Sequence, residues 1–434
     1  MSFQNLPGSP FVAYKNDALC VEDVPLDVLA REHQTPLFVY SKSAMLSALA
    51  AYQLGFAGRD ALICYAMKAN SSLGVLQVFA KAGCGFDIVS GGELARVLRA
   101  GADPQKVIFS GVGKTRAEMR QALDAGIACF NVESIPELDV LNEVAMGMER
   151  VAPISLRVNP NVDPKTHPYI STGLKGNKFG IAHEEALATY RHAASLKGLR
   201  VAGIDCHIGS QITEVTPYLD AMDRVLDLVA SVEAAGIPIH HIDFGGGLGI
   251  NYNGRVEDQP PKADVLWAQL LAKLDARGFG GKQLMIEPGR SLVGNAGVCV
   301  TEVLFTKHGA DKNFCIVDAA MNDLPRPAMY QAFHSIVPCK PTPARPTGQA
   351  VQNMVYDVVG PVCESGDWLG KDRELDVASG DLLAVLSAGA YCMAMASNYN
   401  TRGRAAEVLV DGDTVTLIRA RETADDQMRM ERML

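Results

Sequence analysis

The chain has 434 residues, 48% hydrophobic and 21% charged, an ordinary globular composition with ample material for a core. Forty basic against forty-nine acidic residues give a net charge of −9 with no basic block, which argues against nucleic acid or anionic membrane as a partner. Ten scattered cysteines without a CxxC pair indicate neither a zinc site nor a disulfide framework, and fit a reducing, cytoplasmic setting.

Residues 1–10 lack a positive segment followed by an apolar one, so no signal peptide is expected. The longest apolar run, 382–396, is interrupted by Ser387, Gly389 and Tyr391 and falls short of the roughly 18 residues a spanning helix needs. A soluble protein is expected. Within residues 1–36 there is a strand candidate, Ala18–Val21, and a helix candidate, Pro25–His33.

A rhythm then sets in. Helical stretches of 3.6 period, such as Ser43–Leu54 and Leu73–Ala82, alternate with short apolar runs ending in Gly, Ser, Asn or Asp. The runs are Ala61–Ala66, Gly85–Ser90, Val107–Gly111, Cys129–Glu133, Ile154–Asn159, Gly203–His207, His241–Gly245 and Gln283–Glu287. Eight strands joined by right-handed helical crossovers predict a parallel (β/α)8 TIM-type barrel rather than an open doubly wound sheet. The carboxyl ends of such strands share one rim, where barrel active sites are built. Lys68, Asp87, Ser90, Ser110, Glu133, Arg157, Asn159, His207, Gly245–Gly247 and Glu287–Arg290 fall there.

After Arg290 the texture becomes short β segments: Val298–Leu304, Phe314–Val317, Met354–Val359, Leu382–Leu386, Ala406–Val410 and Val415–Arg419. The division read from the chain is an N-terminal segment 1–36 contributing to a β domain, a barrel 37–292, and a C-terminal mainly β domain 293–434. Pro338–Gly348, with four prolines, reads as a surface loop, and Glu422–Leu434 as a helix end or frayed tail.

Lys68 closes the first apolar run. A desolvated lysine at a strand mouth is a nucleophilic amine able to hold a carbonyl compound as a Schiff base; the bland alternative is a lysine snorkelling off a strand end. The glycines at 245–247 follow strand seven, where backbone N–H groups of barrels commonly receive phosphate, although a tight corner reads the same way. Glu287 can keep a pyridine nitrogen protonated and Arg290 can clamp a carboxylate; a simple Glu–Arg pair is equally compatible. His207 can stack on a planar cofactor and Ser210 can donate to phosphate, against the commoner role of a hydrogen-bonded core histidine. Cys363 is flanked by Glu364 and a Ser-Gly-Asp turn, a setting for an exposed proton-carrying thiol, with a small core residue as the competitor. Arg326 sits between prolines, which suits a rigid carboxylate clamp or an ordinary surface arginine.

Taken together, YAMKAN (65–70), HPYISTGLKGNKFGI (167–181), HIGSQI (207–212), DFGGGLG (243–249), EPGR (287–290), NDLPRPAMY (322–330), CESGDWL (363–369) and GAY (389–391) resemble the fold-type III pyridoxal-phosphate decarboxylases, most of all their diaminopimelate-decarboxylating branch. The resemblance spans nearly the whole chain in family order. It implies pyridoxal 5′-phosphate bound through Lys68, with His207 on the ring face and Glu287 at the ring nitrogen. It further implies Ser210, Gly246, Gly247, Gly289, Arg290 and Tyr391 around the cofactor. Arg290, Arg326 and Tyr330 are implied for the substrate's distal carboxylate, Glu364 for its distal amine, Tyr391 as a further substrate contact, and Cys363 as proton donor. The implied reaction converts meso-2,6-diaminopimelate to L-lysine and CO2 in a homodimer whose sites form at the interface. Ornithine, arginine or a carboxylated polyamine is the alternative substrate on the same fold.

Overall fold

Short β-prone runs alternating with amphipathic helices can bury their apolar faces only as strands inside a ring of helices, and eight of them do so here. The computed structural model describes residues 6–164, 166–174, 176–341 and 354–434. Among them the parallel strands are Ala61–Ala66, Gly85–Ile88, Val107–Phe109, Cys129–Val132, Ala152–Asn159, Leu199–Asp205, His241–Asp243 and Gln283–Ile286. They pair in chain order; strand eight pairs with strand one and strand four with strand five, which closes the barrel. A short strand, Ile181–Ala182, adds to strand five. Helix starts are fixed locally, as where Thr115 and Glu118 form a reciprocal capping box and where Ser90 accepts from the Glu93 N–H.

Alternate residues of each strand point inward and fill the middle of the barrel. Cys64, Ile108, Cys129 and Met285 form a compact apolar cluster. At Gly203 a side chain would run into the His241 ring, which instead hydrogen-bonds Ser155 at 2.7 Å. A cavity of about 620 Å³ opens at the amino ends of the strands, lined in part by Leu62, Lys106, Arg200, His241 and Gln283. It lies at the end opposite the rim residues.

The chain divides into two compact units, 48–250 with 260–291, and 1–47 with 251–259 and 292–434. The first holds the barrel. The second is mainly β. Its large sheet runs in the order Trp368–Leu375, Met354–Val359, Asn313–Val317, Gly297–His308, Leu37–Ser41, Ala406–Asp411 and Thr414–Arg419. Ile336–Pro338 and Leu382–Val385 branch from the strand Gly297–His308. Leu37–Ser41, expected in the barrel segment, is a central strand here: all five residues are buried, antiparallel to Gly297–Val300 on one side and parallel to Ala406–Val410 on the other. The barrel unit therefore begins after Ser47 rather than after residue 36. Ala18–Val21 joins a separate three-stranded sheet with Val12–Lys15 and Val24–Pro25. Leu19, Val21, Leu37, Val39, Val298, Val300 and Val408 share one apolar core. Pro338 ends a strand, the rest of the expected proline-rich loop from 342 onward lies outside the described residues, and the tail carries a short capped helix, Ala424–Met428. No helix among the described residues is long and apolar enough to cross a membrane.

Candidate active site

The barrel rim brings the expected residues of this unit together through a chain of direct contacts. Strand one ends in a single 3₁₀ turn, Met67–Ala69, which turns Lys68 into the barrel mouth. Its Nζ donates to Asp87 Oδ2 at 2.5 Å, with the lysine side chain 37% exposed and the aspartate fully buried. Asp87 is held opposite by register, since Ala66 pairs with Asp87 across strands one and two. Asp87 Oδ1 is buried without a hydrogen-bond partner.

Strands six to eight supply the opposite wall. The Gly246 N–H donates to His207 Nδ1 at 3.1 Å, which requires that nitrogen to carry no proton. Burial, with the positive charges of Arg157 and Lys68, holds the His207 pKa well below the usual histidine value, in agreement with that bond. The glycine run passes so close to strand eight that a Cβ at Gly246 would fall on the Glu287 carbonyl oxygen, and Gly247 has φ +101°. Glu287 N donates back to the Gly245 carbonyl at 2.8 Å. Gly289 packs on Ala66, tying the last loop to the strand that carries Lys68. Arg290 Nη2 and Nε donate to Ser210 Oγ at 2.9 and 3.3 Å, which leaves the serine's own hydrogen to donate elsewhere.

Glu287 is buried, and its Oε1 accepts from Ser110 at 3.3 Å and Asn131 at 3.2 Å. Its pKa is raised well above the usual carboxylate range by burial and by the charges of Asp87, Asp243 and Asp205. Glu133 pairs with Arg157 at 2.7 Å beside it. Ser90, counted among rim residues, is a helix cap. Asn131, Asp205 and Asp243 were not singled out from the sequence. A usable signal existed: each lies two residues before a rim residue (Glu133, His207, Gly245) and so shares its inward parity.

The remaining expected residues belong to the mainly β unit. Cys363 is exposed while the other nine cysteines are buried. Its N–H donates to Asn400 at 3.1 Å, and the Asp367 carboxylate staples the loop by accepting from the N–H groups of Val362 and Met321. The competing picture of Cys363 as a core residue is excluded, and Glu364 beside it is exposed too. Arg326 is buried, 2.7 Å from His334 Nε2 and stacked 4.5 Å from the Tyr252 ring centre. It is not the solvated surface arginine of the alternative. Tyr330 ends the short helix Arg326–Tyr330, and Tyr391 adopts φ +57° in the turn after Leu382–Val385.

A pyridoxal phosphate fits the barrel rim. Lys68 offers an amine, the glycine turn, packed too closely on its neighbours to admit side chains, offers a cradle of bare backbone, and Glu287 offers a buried carboxyl group. Comparison with known proteins agrees. The family described as pyridoxal-dependent decarboxylase, pyridoxal binding domain, matches residues 43–294. Diaminopimelate decarboxylase of Neisseria meningitidis serogroup A is 54% identical over 95% of this chain and 98% of its own length. That of Pseudomonas aeruginosa is 53% identical over 97% and 99%. Among solved structures, diaminopimelate decarboxylase from Helicobacter pylori complexed with L-lysine superposes with TM-score 0.87 at 40% identity, covering 94% of this chain and 99% of that one. That from M. jannaschii, also with L-lysine, gives TM-score 0.91 at 37% identity over 99% of each. From the Lys68–Asp87 rim, the glycine cradle and these near full-length matches, the chain belongs to the pyridoxal-dependent decarboxylases, in the diaminopimelate decarboxylase branch of that family.

Proposed function

We propose that the protein removes one carboxylate of meso-2,6-diaminopimelate as CO2 and releases L-lysine, with pyridoxal phosphate bound in the barrel mouth. The observation that carries this reading is the meeting, on one rim, of the Lys68–Asp87 pair, the glycine cradle and buried Glu287. The bound cofactor supplies an electron sink for the pair left on the substrate carbon when CO2 departs. The chain supplies everything else. Lys68, whose free amine donates to Asp87, would hold the cofactor's carbonyl carbon. His207, kept neutral, presents a flat uncharged ring. Gly246, Gly247, Gly289, Ser210 and Arg290 line the phosphate position, with Tyr391 joining them. Glu287 keeps the ring nitrogen protonated.

Arg290, Arg326 and Tyr330 bind the distal carboxylate of the substrate, Glu364 its distal amine, and Tyr391 also contacts the substrate. Arg326, fixed by His334 and Tyr252, enters binding already ordered. Cys363 returns a proton to the carbon that lost CO2, a role that its exposure permits. The active form is a cytoplasmic homodimer in which each subunit lends Cys363 and Glu364 to the other's barrel.

Borohydride treatment of the yellow purified protein tests the anchor. It bleaches the absorption band and attaches a pyridoxyl group to Lys68; a colourless protein, or label on another residue, refutes the assignment. Lysine release from meso-diaminopimelate but not release of amine from ornithine then fixes the substrate. Turnover of ornithine at comparable rate selects the alternative on the same fold.

A further inference from the structure

Behind Glu287 lie two carboxyl groups that the reaction as described does not use. Asp205 ends strand six and Asp243 ends strand seven, directly paired in register. Asp205, Asp243 and Glu287 each offer an oxygen within 4.8 Å of the others. Relative exposures are 1%, 1% and 6%. Their hydrogen bonding is unequal. Glu287 Oε1 accepts from Ser110 and Asn131, and Asp243 Oδ1 from the Gly245 N–H at 2.8 Å. Asp243 Oδ2 and Asp205 Oδ1 have no donor at all.

The surroundings do not neutralise three anions. Lys68 already pairs with Asp87, and Arg157 pairs with Glu133 at 2.7 Å while reaching Asp205 Oδ2 only at 4.0 Å. The other titratable groups facing the trio are neutral: burial lifts the Cys64, Cys129 and Cys206 thiols, and His207 and His241 are pushed down. Like charges this close in a buried site cannot all ionise. An oxygen buried without a donor is satisfied if it carries the proton itself.

We propose that Asp205 and Asp243 are positioning residues for Glu287: the three carboxyl groups share protons in the cofactor-free protein at neutral pH, and Glu287 gives up its share when it meets the protonated ring nitrogen of pyridoxal phosphate on loading. The proposal rests on the pyridoxal phosphate reading above. The step balances with solvent: the O–H bond at Glu287 breaks, its proton leaves to water, and a carboxylate is left facing the ring N–H that the cofactor brought with it. Replacing either aspartate by the neutral amide lifts the repulsion, so Glu287, with its two donors, ionises in the free protein. Loading then releases no proton from Glu287.

The test is calorimetric titration of the cofactor-free full chain with pyridoxal phosphate near neutral pH, in buffers of different ionisation heat. The expected result is a net proton uptake larger in Asp243→Asn and Asp205→Asn than in the wild type, by up to about one proton per chain. Infrared spectra of the cofactor-free wild type are expected to show a protonated-carboxyl band at neutral pH that weakens in both variants. Wild-type spectra without that band overturn the proposal even if the variants do not fold. So does unchanged proton uptake in folded variants, or a divalent cation that copurifies with wild type and is lost from Asp205→Asn. Failure of pyridoxal phosphate to bind wild type at all instead removes the cofactor reading, and the two failures are distinguishable.

Discussion

Single residues on this rim have roles set by their neighbours more than by their type. Glu287 is the sharpest case. Replacing it by glutamine removes the group that keeps the ring nitrogen protonated but leaves the cradle and Lys68 in place. Glu287→Gln is expected to lower kcat about a hundredfold or more while changing cofactor affinity much less. Steady-state kinetics beside a cofactor titration measure both, and equal losses argue against the assigned role. Asp205 makes a second prediction. Burial and the neighbouring carboxylates push its pKa from 3.8 up to about 7, despite Arg157. The folded state therefore binds more protons than the unfolded one between those values, so this group's contribution is complete at low pH and is lost as pH rises through about 7. The cofactor-free wild type is expected to lose melting temperature across that interval more steeply than Asp205→Asn. Parallel curves refute the linkage. Lys68, Glu287 and His207 were legible because they end apolar runs. Asp205 and Asp243 were not, because buried carboxylates inside a strand look like strand-capping turn residues until the register puts three of them together.

At the scale of elements, the loops after strands six, seven and eight act as one piece. The Gly245–Gly247 turn contacts His207 on one side and the Glu287 backbone on the other. Glycine at 246 is required by that approach, not by flexibility. Gly246→Ala is expected to destabilise the protein by about 1–3 kcal/mol through overpacking and to weaken cofactor binding. Gly113→Ala, where nothing lies within 4 Å of a new Cβ, should stay within about 0.5 kcal/mol. Thermal melts of the two variants with and without pyridoxal phosphate decide it; equal effects refute the close-approach argument. The barrel elements were readable because every strand alternated with a helix of clear period. Leu37–Ser41 was misassigned because a fully buried five-residue strand has no alternation, and its partners lie some 260 and 370 positions further along the chain. Trp368–Leu375 escaped for the opposite reason. Its charged residues Lys371, Asp372, Arg373 and Glu374 mask the strand, which ends its sheet with one partner, Met354–Val359.

At the scale of the whole molecule, the proposed chemistry needs residues from both units: the anchor Lys68 from the barrel and the proton donor Cys363 from the mainly β unit. If each site is completed by the other subunit, a dimer of one Lys68→Ala chain and one Cys363→Ala chain contains one site with both defects and one with neither. Each homodimer contains only crippled sites. Equimolar mixing with subunit exchange is then expected to restore about a quarter of wild-type activity, since about half the dimers are hybrids and each hybrid has one intact site of two. The proportion depends on exchange, so the mixture is compared with the two variants refolded together, and hybrid content is measured by tagging one chain. Recovery that tracks hybrid content supports the shared site. Measured hybrids with no recovery put Lys68 and Cys363 of the same chain in one site, and that outcome removes the dimer interface from the mechanism while leaving the barrel chemistry intact.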